Sequence, residues 1–153
     1  MRAGRVQTKS VQILTAVFRP PDGPAGIGVM VANAQGTVPS SLREQAVGSP
    51  EYLHLRAVLR ALQLGRKLRA GNVSILCPDE YAVKLITRES PVEEGSRLVP
   101  LYMRIRALMH TFRLVEILAV SRSRVEPARR LAIAASRGPA PRQDLQRSLF
   151  AAR

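Results

Sequence analysis

The stretch that decides the fold is residues 10–32, which read SVQILTAVFRPPDGPAGIGVMVA. Ser10–Phe18 is rich in β-branched and apolar residues, which predicts a strand. Arg19–Gly26 is dense in Pro and Gly and predicts a turn, after which Ile27–Ala32 predicts a second strand. Because a short turn joins the two strands, this stretch predicts the start of an antiparallel meander.

Downstream, the spacing of apolar residues and breakers predicts one more meander strand and then alternating helices and strands. The first helix should begin at Ser49-Pro50-Glu51, because Ser caps free backbone N–H groups, Pro fits the first helical position and Glu complements the positive helix end. The other expected elements are a turn at Asn33–Gly36, an edge strand at Thr37–Val47 containing Pro39, a first helix ending at Gly71, a strand at Val73–Cys77, a helix through Ile86, a helix at Pro100–Phe112, a strand at Leu114–Val120, a helix at Pro127–Ser136 and a short helix at Leu145–Phe150.

The charge of the chain is strongly basic. It has 24 basic against 11 acidic residues, a formal charge of +13. Such a surface attracts polyanions, of which nucleic acid is the commonest for this kind of domain. A coding bias toward Arg is the alternative explanation, because 21 of the basic residues are Arg.

Other features of the composition limit where the protein works. Cys77 is the only cysteine, so no internal disulfide forms. No apolar run is long enough to span a membrane, and the basic start does not read as a secretory signal. We therefore expect a cytoplasmic protein with one domain at residues 10–137, a basic arm at 1–9 and a basic tail at 138–153.

Four segments resemble the bacterial ribonuclease H family, especially its compact, reverse-transcriptase-like branch. They are GPAGIGV (Gly23–Val29), EYLHLRAVLRAL (Glu51–Leu62), ILCPDEYAV (Ile75–Val83) and the closing series PLYMRIRALMHTF, VEILAVSR and ARRLA. The resemblance covers Val11 to Ser136. It implies a ribonuclease H-like α/β fold, in which a five-stranded mixed sheet, made of an antiparallel meander plus two parallel strands, is flanked by helices.

The resemblance also places the family's four metal-binding carboxylates, which hold two divalent cations about 4 Å apart. Two of the four positions keep their acid, as Glu51 and Asp79, whereas Thr15 and Arg129 replace the other two. A Thr hydroxyl cannot supply the missing charge, and an Arg repels Mg²⁺. We expect the Arg129 guanidinium to pair with Glu51 or Asp79 in place of the metal. The family's Asn pair, which contacts the hybrid, falls on residues 47–48, a Val-Gly pair.

The sequence therefore predicts a catalytically inactive ribonuclease H-like domain that binds RNA, DNA or their hybrid and holds no metal or other cofactor. The expected nucleic-acid contacts are Arg19, Arg56, Arg60, Arg122, Arg124 and Arg129. The basic residues of the first helix, Arg56, Arg60, Arg66, Lys67 and Arg69, are read either as a solvated face or as a phosphate track. His54 and His110 are expected to be partly exposed helix residues without a catalytic role, and Cys77 a residue of the strand core.

Two other functions stay open. One is an active ribonuclease H that cleaves RNA in RNA–DNA hybrids with Mg²⁺ at a rebuilt site, for which Asp22, Glu80 and Glu126 are the available acids. The other is a protein-interaction module, in which the sheet or the C-terminal tail binds an acidic partner.

Overall fold

A computed structural model describes residues 9–32 and 41–138. The elements are β1 (Ser10–Phe18), β2 (Ala25–Val31), β3 (Ser41–Ala46), α1 (Pro50–Lys67), β4 (Asn72–Cys77), α2 (Glu80–Ile86), α3 (Leu98–Met109), β5 (Leu114–Ala119) and α4 (Glu126–Arg137), with a 3-10 turn at Arg122–Val125 before the last helix. The predicted turn at Asn33–Gly36, the start of the third strand with Pro39, the short helix at Leu145–Phe150, most of the N-terminal arm and nearly all of the tail lie outside the described residues.

The strands form one five-stranded sheet in the order β3-β2-β1-β4-β5. β1 pairs antiparallel with β2, and β2 with β3, whereas β1 pairs parallel with β4, and β4 with β5. The predicted α/β fold, an antiparallel meander extended by two parallel strands, is confirmed.

Side chains of β1 alternate between the two faces of the sheet. Val11 and Ile13 join the main core under α1 and α3, while Leu14 and Ala16 join a smaller core with Ala128 of α4. α1 thus covers β1, β2 and β4 on one face, with α3 packed against α1, and α4 covers β1, β2 and β3 on the other face. In the described part of the chain, no helix is long and apolar enough to cross a membrane.

Two glycines of β2 let α4 approach the sheet backbone. A Cβ on Gly26 would lie 1.8 Å from the carbonyl oxygen of Ala132, and one on Gly28 would lie 2.0 Å from that of Ala128. Both distances are far below van der Waals contact, so only Gly fits at either position. The segment GPAGIGV is therefore a packing motif that fixes where the last helix lies.

The end of α1 differs from the prediction. The helix ends at Lys67, and Arg69, with a φ of 60°, takes the left-handed conformation expected of Gly71. The Arg69 N–H donates to the Arg66 carbonyl, and the Ala70 N–H donates to that of Gly65, which is the Schellman pattern of helix ends. Gly71 instead serves as a bridge between strands, because its carbonyl accepts from the N–H groups of residues 113 and 114.

The bounds of two other elements also shift. α3 begins at Leu98, where the Ser96 hydroxyl accepts from its N–H, and ends three residues before the predicted Phe112. Phe112 follows the helix in a turn and packs against the main core. β3 ends at Ala46, so Val47 lies outside the strand and is 81% exposed.

Candidate functional site

Thr15, which the resemblance assigns to the first of the four carboxylate positions, lies on β1, the central strand of the sheet. Its side chain is fully buried, and its hydroxyl donates a hydrogen bond of 3.0 Å to the Leu76 carbonyl of β4. A carboxylate could not donate this bond. The hydroxyl is therefore hydrogen-bonded within the sheet and shielded from solvent.

Glu51 and Asp79 are the two acids that the resemblance predicts at the retained positions. Glu51 lies in the first turn of α1, after the Ser49 cap and Pro50. Asp79 caps α2, because one of its carboxylate oxygens accepts from the Ala82 N–H at 3.0 Å. The two retained acids thus lie at helix starts, where the helix dipole favours negative charge.

His54 shows that these two acids share one neighbourhood. Burial lowers the pKa of His54, and the charges of Asp79 and Glu51 both act on it in the opposite direction. Its Nδ1 atom is buried and has no hydrogen-bond partner among the described residues. His54 was expected to have no catalytic role, although its position three residues after Glu51 puts both residues on one helix face.

Cys77 links Thr15 to Asp79. Burial raises the pKa of the Cys77 thiol to about 11, and its neighbours are the Asp79 backbone carbonyl and the Thr15 hydroxyl. The thiol is therefore protonated at neutral pH, which fits the prediction of a residue of the strand core. Thr15, Glu51 and Asp79 accordingly lie at the same end of the sheet, the "carboxylate end" below.

The expected pairing of Arg129 with these acids is wrong. The Arg129 guanidinium lies over the ring of Phe18, 5.6 Å from the ring centroid, at the end of β1. Among the described residues it makes no ion pair with Glu51 or Asp79. The packing of α4 explains this difference. Ala128 and Ala132 contact the glycines of β2. Arg129 follows Ala128, and its side chain reaches the ring of Phe18.

The residues at the carboxylate end do not fit a two-metal centre. In the described part of the chain, no group of three His, Cys, Asp or Glu side chains is arranged to hold a metal ion. Asp22 is exposed in the turn after β1, and Glu80 lies 4.0 Å from Lys84 on an exposed helix face. Glu126 is half-buried in the first turn of α4. A hard divalent cation needs several oxygen ligands, mostly charged, and Thr15 supplies only a neutral hydroxyl that is bonded to the Leu76 carbonyl.

Two of the expected nucleic-acid contacts are already paired. Arg56 and Arg60 on α1 both donate to the Glu44 carboxylate of β3, the first at 2.8 Å. Burial lowers the pKa of Arg56, but the bond to Glu44 outweighs it and raises the pKa overall. The pairing turns these guanidiniums toward the β3 edge and partly neutralises them.

Arg19, Arg122 and Arg124 remain exposed. Arg19 lines a depression of about 220 Å³ between the turn after β1 and the segment Ala46–Gly48. This segment contains the two positions of the family's Asn pair. The expected cations are therefore dispersed, with only Arg19 beside the segment before α1.

Comparison with known proteins identifies the family. A model of the reverse transcriptase-like family matches residues 14–135. The chain belongs to this ribonuclease H-like family. A comparison with curated proteins gives no match.

Solved structures show the same fold. The N-terminal RNase H domain of rv2228c from Mycobacterium tuberculosis superposes with a TM-score of 0.73 at 24% identity, over 84% of this chain and 94% of that one. RNase H1 from the archaeon Halobacterium salinarum gives 0.73 at 18% identity, over 82% and 96%. LC11-RNase H1 in complex with an RNA/DNA hybrid gives 0.70 at 20% identity, over 82% and 96%.

Proposed function

We propose that this ribonuclease H-like domain binds nucleic acid without cleaving it. The observation that carries the proposal is Thr15, whose buried hydroxyl is bonded to the Leu76 carbonyl where the family has a metal-binding carboxylate. Two-metal hydrolysis needs acidic oxygens that face both cations. Glu51 and Asp79 alone do not form such a set.

Arg129 supports the same conclusion. A guanidinium is permanently charged and cannot ligate a cation, so the residue that the resemblance assigns to the fourth position supplies no metal ligand and instead lies over Phe18. The formal charge of +13 provides the affinity for phosphates through counterion release. Within this proposal, the arm at 1–9 and the tail at 138–153 supply further basic contacts.

A cleavage assay separates this function from an active ribonuclease H. The substrate is a 5′-labelled 24-base-pair RNA–DNA hybrid with millimolar Mg²⁺ or Mn²⁺. The matched blank is Glu51→Gln/Asp79→Asn, which removes both retained acids. We expect the natural protein and this blank to give the same background. Metal-dependent cleavage by the natural protein that the blank lacks would establish the active alternative instead.

A salt titration tests binding itself. With six or more phosphate contacts, the affinity for the hybrid should fall about a thousandfold between 50 and 200 mM salt. A protein partner would respond differently, because a contact with an apolar core survives high salt. No binding at low salt, or a flat salt response, would contradict the proposal.

A further inference from the structure

A groove between α1 and α3 lies on the face of the sheet opposite α4. Its volume is about 560 Å³. It is lined by Leu59, Gln63, Arg66, Lys67, Arg104, Ala107, Leu108 and Thr111, and is called the basic groove below. Its walls come from the C-terminal halves of both helices.

The cations of the basic groove are uncompensated. Arg66, Lys67 and Arg104 are exposed, and none of them forms an ion pair within the described residues. The only acid of α1 is Glu51, in its first turn, and α3 has none. Arg56 and Arg60 of the same helix α1 behave differently, because they point to Glu44. The structure thus divides the basic residues of α1 into a paired set and an unpaired set.

The basic groove lies away from the carboxylate end. A second depression, of about 480 Å³, is lined by Tyr52 of α1 and Leu98 of α3, at the N-terminal ends of both helices. The two helices therefore run side by side in the same direction. At 1.5 Å per residue, Arg66 lies about 22 Å along α1 from Glu51. Duplex of that length contains about six base pairs, at 3.4 Å per nucleotide on each strand.

We propose that the basic groove binds the sugar-phosphate backbone of nucleic acid, as a second contact beyond the carboxylate end. The inference rests on the proposed function, since it names a further surface for the same ligand class. Three cations from two helices line one open groove. Lys and Arg side chains that neutralise phosphates release the counterions of the nucleic acid, which favours binding. Gln63 accepts from Arg60 through Oε1, which leaves its amide nitrogen as a donor for a phosphate oxygen.

An acidic protein segment is the competing ligand, and the walls argue against it. A helix that docks in a groove buries apolar anchors there. Leu59 is only 2% exposed, and the exposed apolar wall is Ala107 with half-buried Leu108. Carbon atoms make up most of the lining, but the groove has no exposed large apolar side chain against which such an anchor could pack.

The experiment compares two triple variants with equal loss of charge. The groove variant is Arg66→Gln/Lys67→Gln/Arg104→Gln, in which Gln keeps part of each aliphatic stem. The control is Arg43→Gln/Arg130→Gln/Arg137→Gln, three exposed residues of β3 and α4 away from the groove. Affinity for the 24-base-pair hybrid is measured by fluorescence anisotropy from 50 to 200 mM salt. Poly-L-glutamate is the acidic protein probe.

We expect the groove variant to lose at least about tenfold in affinity at 100 mM salt, and its log–log salt slope to fall by about 2–3, roughly one per phosphate contact. The control should lose at most about threefold. If the groove variant melts at a lower temperature than the natural protein, the single change Arg104→Gln replaces it, with an expected slope change of about 1.

Three outcomes would overturn the inference. If both triple variants bind the hybrid equally, the groove makes no phosphate contact, although the proposed function survives. If the groove variant keeps its affinity for the hybrid and loses only poly-L-glutamate, the groove is a protein-docking surface. If the natural protein binds no hybrid at low salt, both the proposed function and the groove inference are wrong.

Discussion

Two neighbouring residues of α4 compare differently with the family pattern, because one matches it and the other does not. The backbone of Ala128 packs so closely on β2 that its carbonyl oxygen leaves no room for a Cβ on Gly28. Arg129, the next residue, is the one that the resemblance assigns to a metal-binding Asp position, and it lies over Phe18. The contacts that hold the fold and the groups that perform the chemistry are thus adjacent but separate.

The contacts that hold α4 on the sheet do not depend on carboxylates. α4 is held by close backbone approach to Gly26 and Gly28 and by the small core of Leu14, Ala16 and Ala128. None of these contacts involves an acid. Substitutions at Thr15 and Arg129 could therefore accumulate without loss of the fold, while glycine at β2 could not be replaced.

The largest effect on stability should come from a substitution that disturbs the packing of α4 on β2. Gly28→Ala places a Cβ on the Ala128 carbonyl oxygen, so α4 must move. We expect a loss of about 4 kcal/mol or more in the free energy of unfolding, measured with denaturant. Gly23→Ala is the control, because its Cβ meets no atom within 4 Å and only its positive φ costs energy, about 1–2 kcal/mol. Equal losses in the two variants would show that α4 does not depend on this approach.

The second prediction concerns the first family position. Thr15→Asp restores the family's acid but buries a charge and removes the bond to Leu76. We expect a loss of about 3 kcal/mol in stability at pH 7 without metal. Thr15→Val, of similar shape, should lose about 1–2 kcal/mol through the unpaired carbonyl. If Thr15→Asp is as stable as the natural protein, the site is open to solvent and the inactive assignment weakens.

Much of the fold follows from local patterns in the sequence. The strands and the Ser49 cap are signalled by composition and capping chemistry, and the structure confirms the order of the elements. Gly26 was predicted to lie in the turn, but it lies in β2 and packs against α4. The left-handed Arg69 is different, because a Gly two residues later carries the stronger local signal. There the hydrogen bonds of the helix end decide where the chain turns.

The site was less predictable than the fold. The resemblance predicted that Thr15, Glu51 and Asp79 lie at one end; Cys77 is hydrogen-bonded to the Thr15 hydroxyl and the Asp79 carbonyl, and the charges of Glu51 and Asp79 both act on the pKa of His54. The sequence could not show that Arg56 and Arg60 pair with Glu44, because Glu44 lies on β3 and the two Arg residues lie on a different element, α1. Side-chain partners across elements depend on rotamers and on distances that no spacing rule encodes.

A smaller effect should follow from His54. Burial lowers the pKa of His54, so the unfolded chain takes up the proton first as pH falls, even though Asp79 and Glu51 attract it. The stability is therefore fully present above the unfolded pKa, about 6.5, and is lost as pH decreases below it. In urea titrations between pH 5 and 8, His54→Leu should remove this loss of stability at low pH. The loss should be smaller than the loss of stability that Thr15→Val causes.

The exposed His110 supplies the matched control for this prediction, as His110→Leu. A dependence on pH that persists in His54→Leu but vanishes in His110→Leu would contradict the assignment to His54.

The smallest effect on stability should come from removing the contact between Arg129 and Phe18. The partner of Arg129 is an aromatic ring at a half-exposed site, so the cation–π contact should contribute about 0.5–1 kcal/mol. We expect Arg129→Ala, Phe18→Leu and the double variant to give a coupling energy of this size in a double-mutant cycle. A pairing of Arg129 with the retained acids would predict something else. It would give strong coupling with Glu51→Gln or Asp79→Asn and none with Phe18→Leu, and the loss in Arg129→Ala would then exceed 1 kcal/mol because a partly buried carboxylate would be left unpaired.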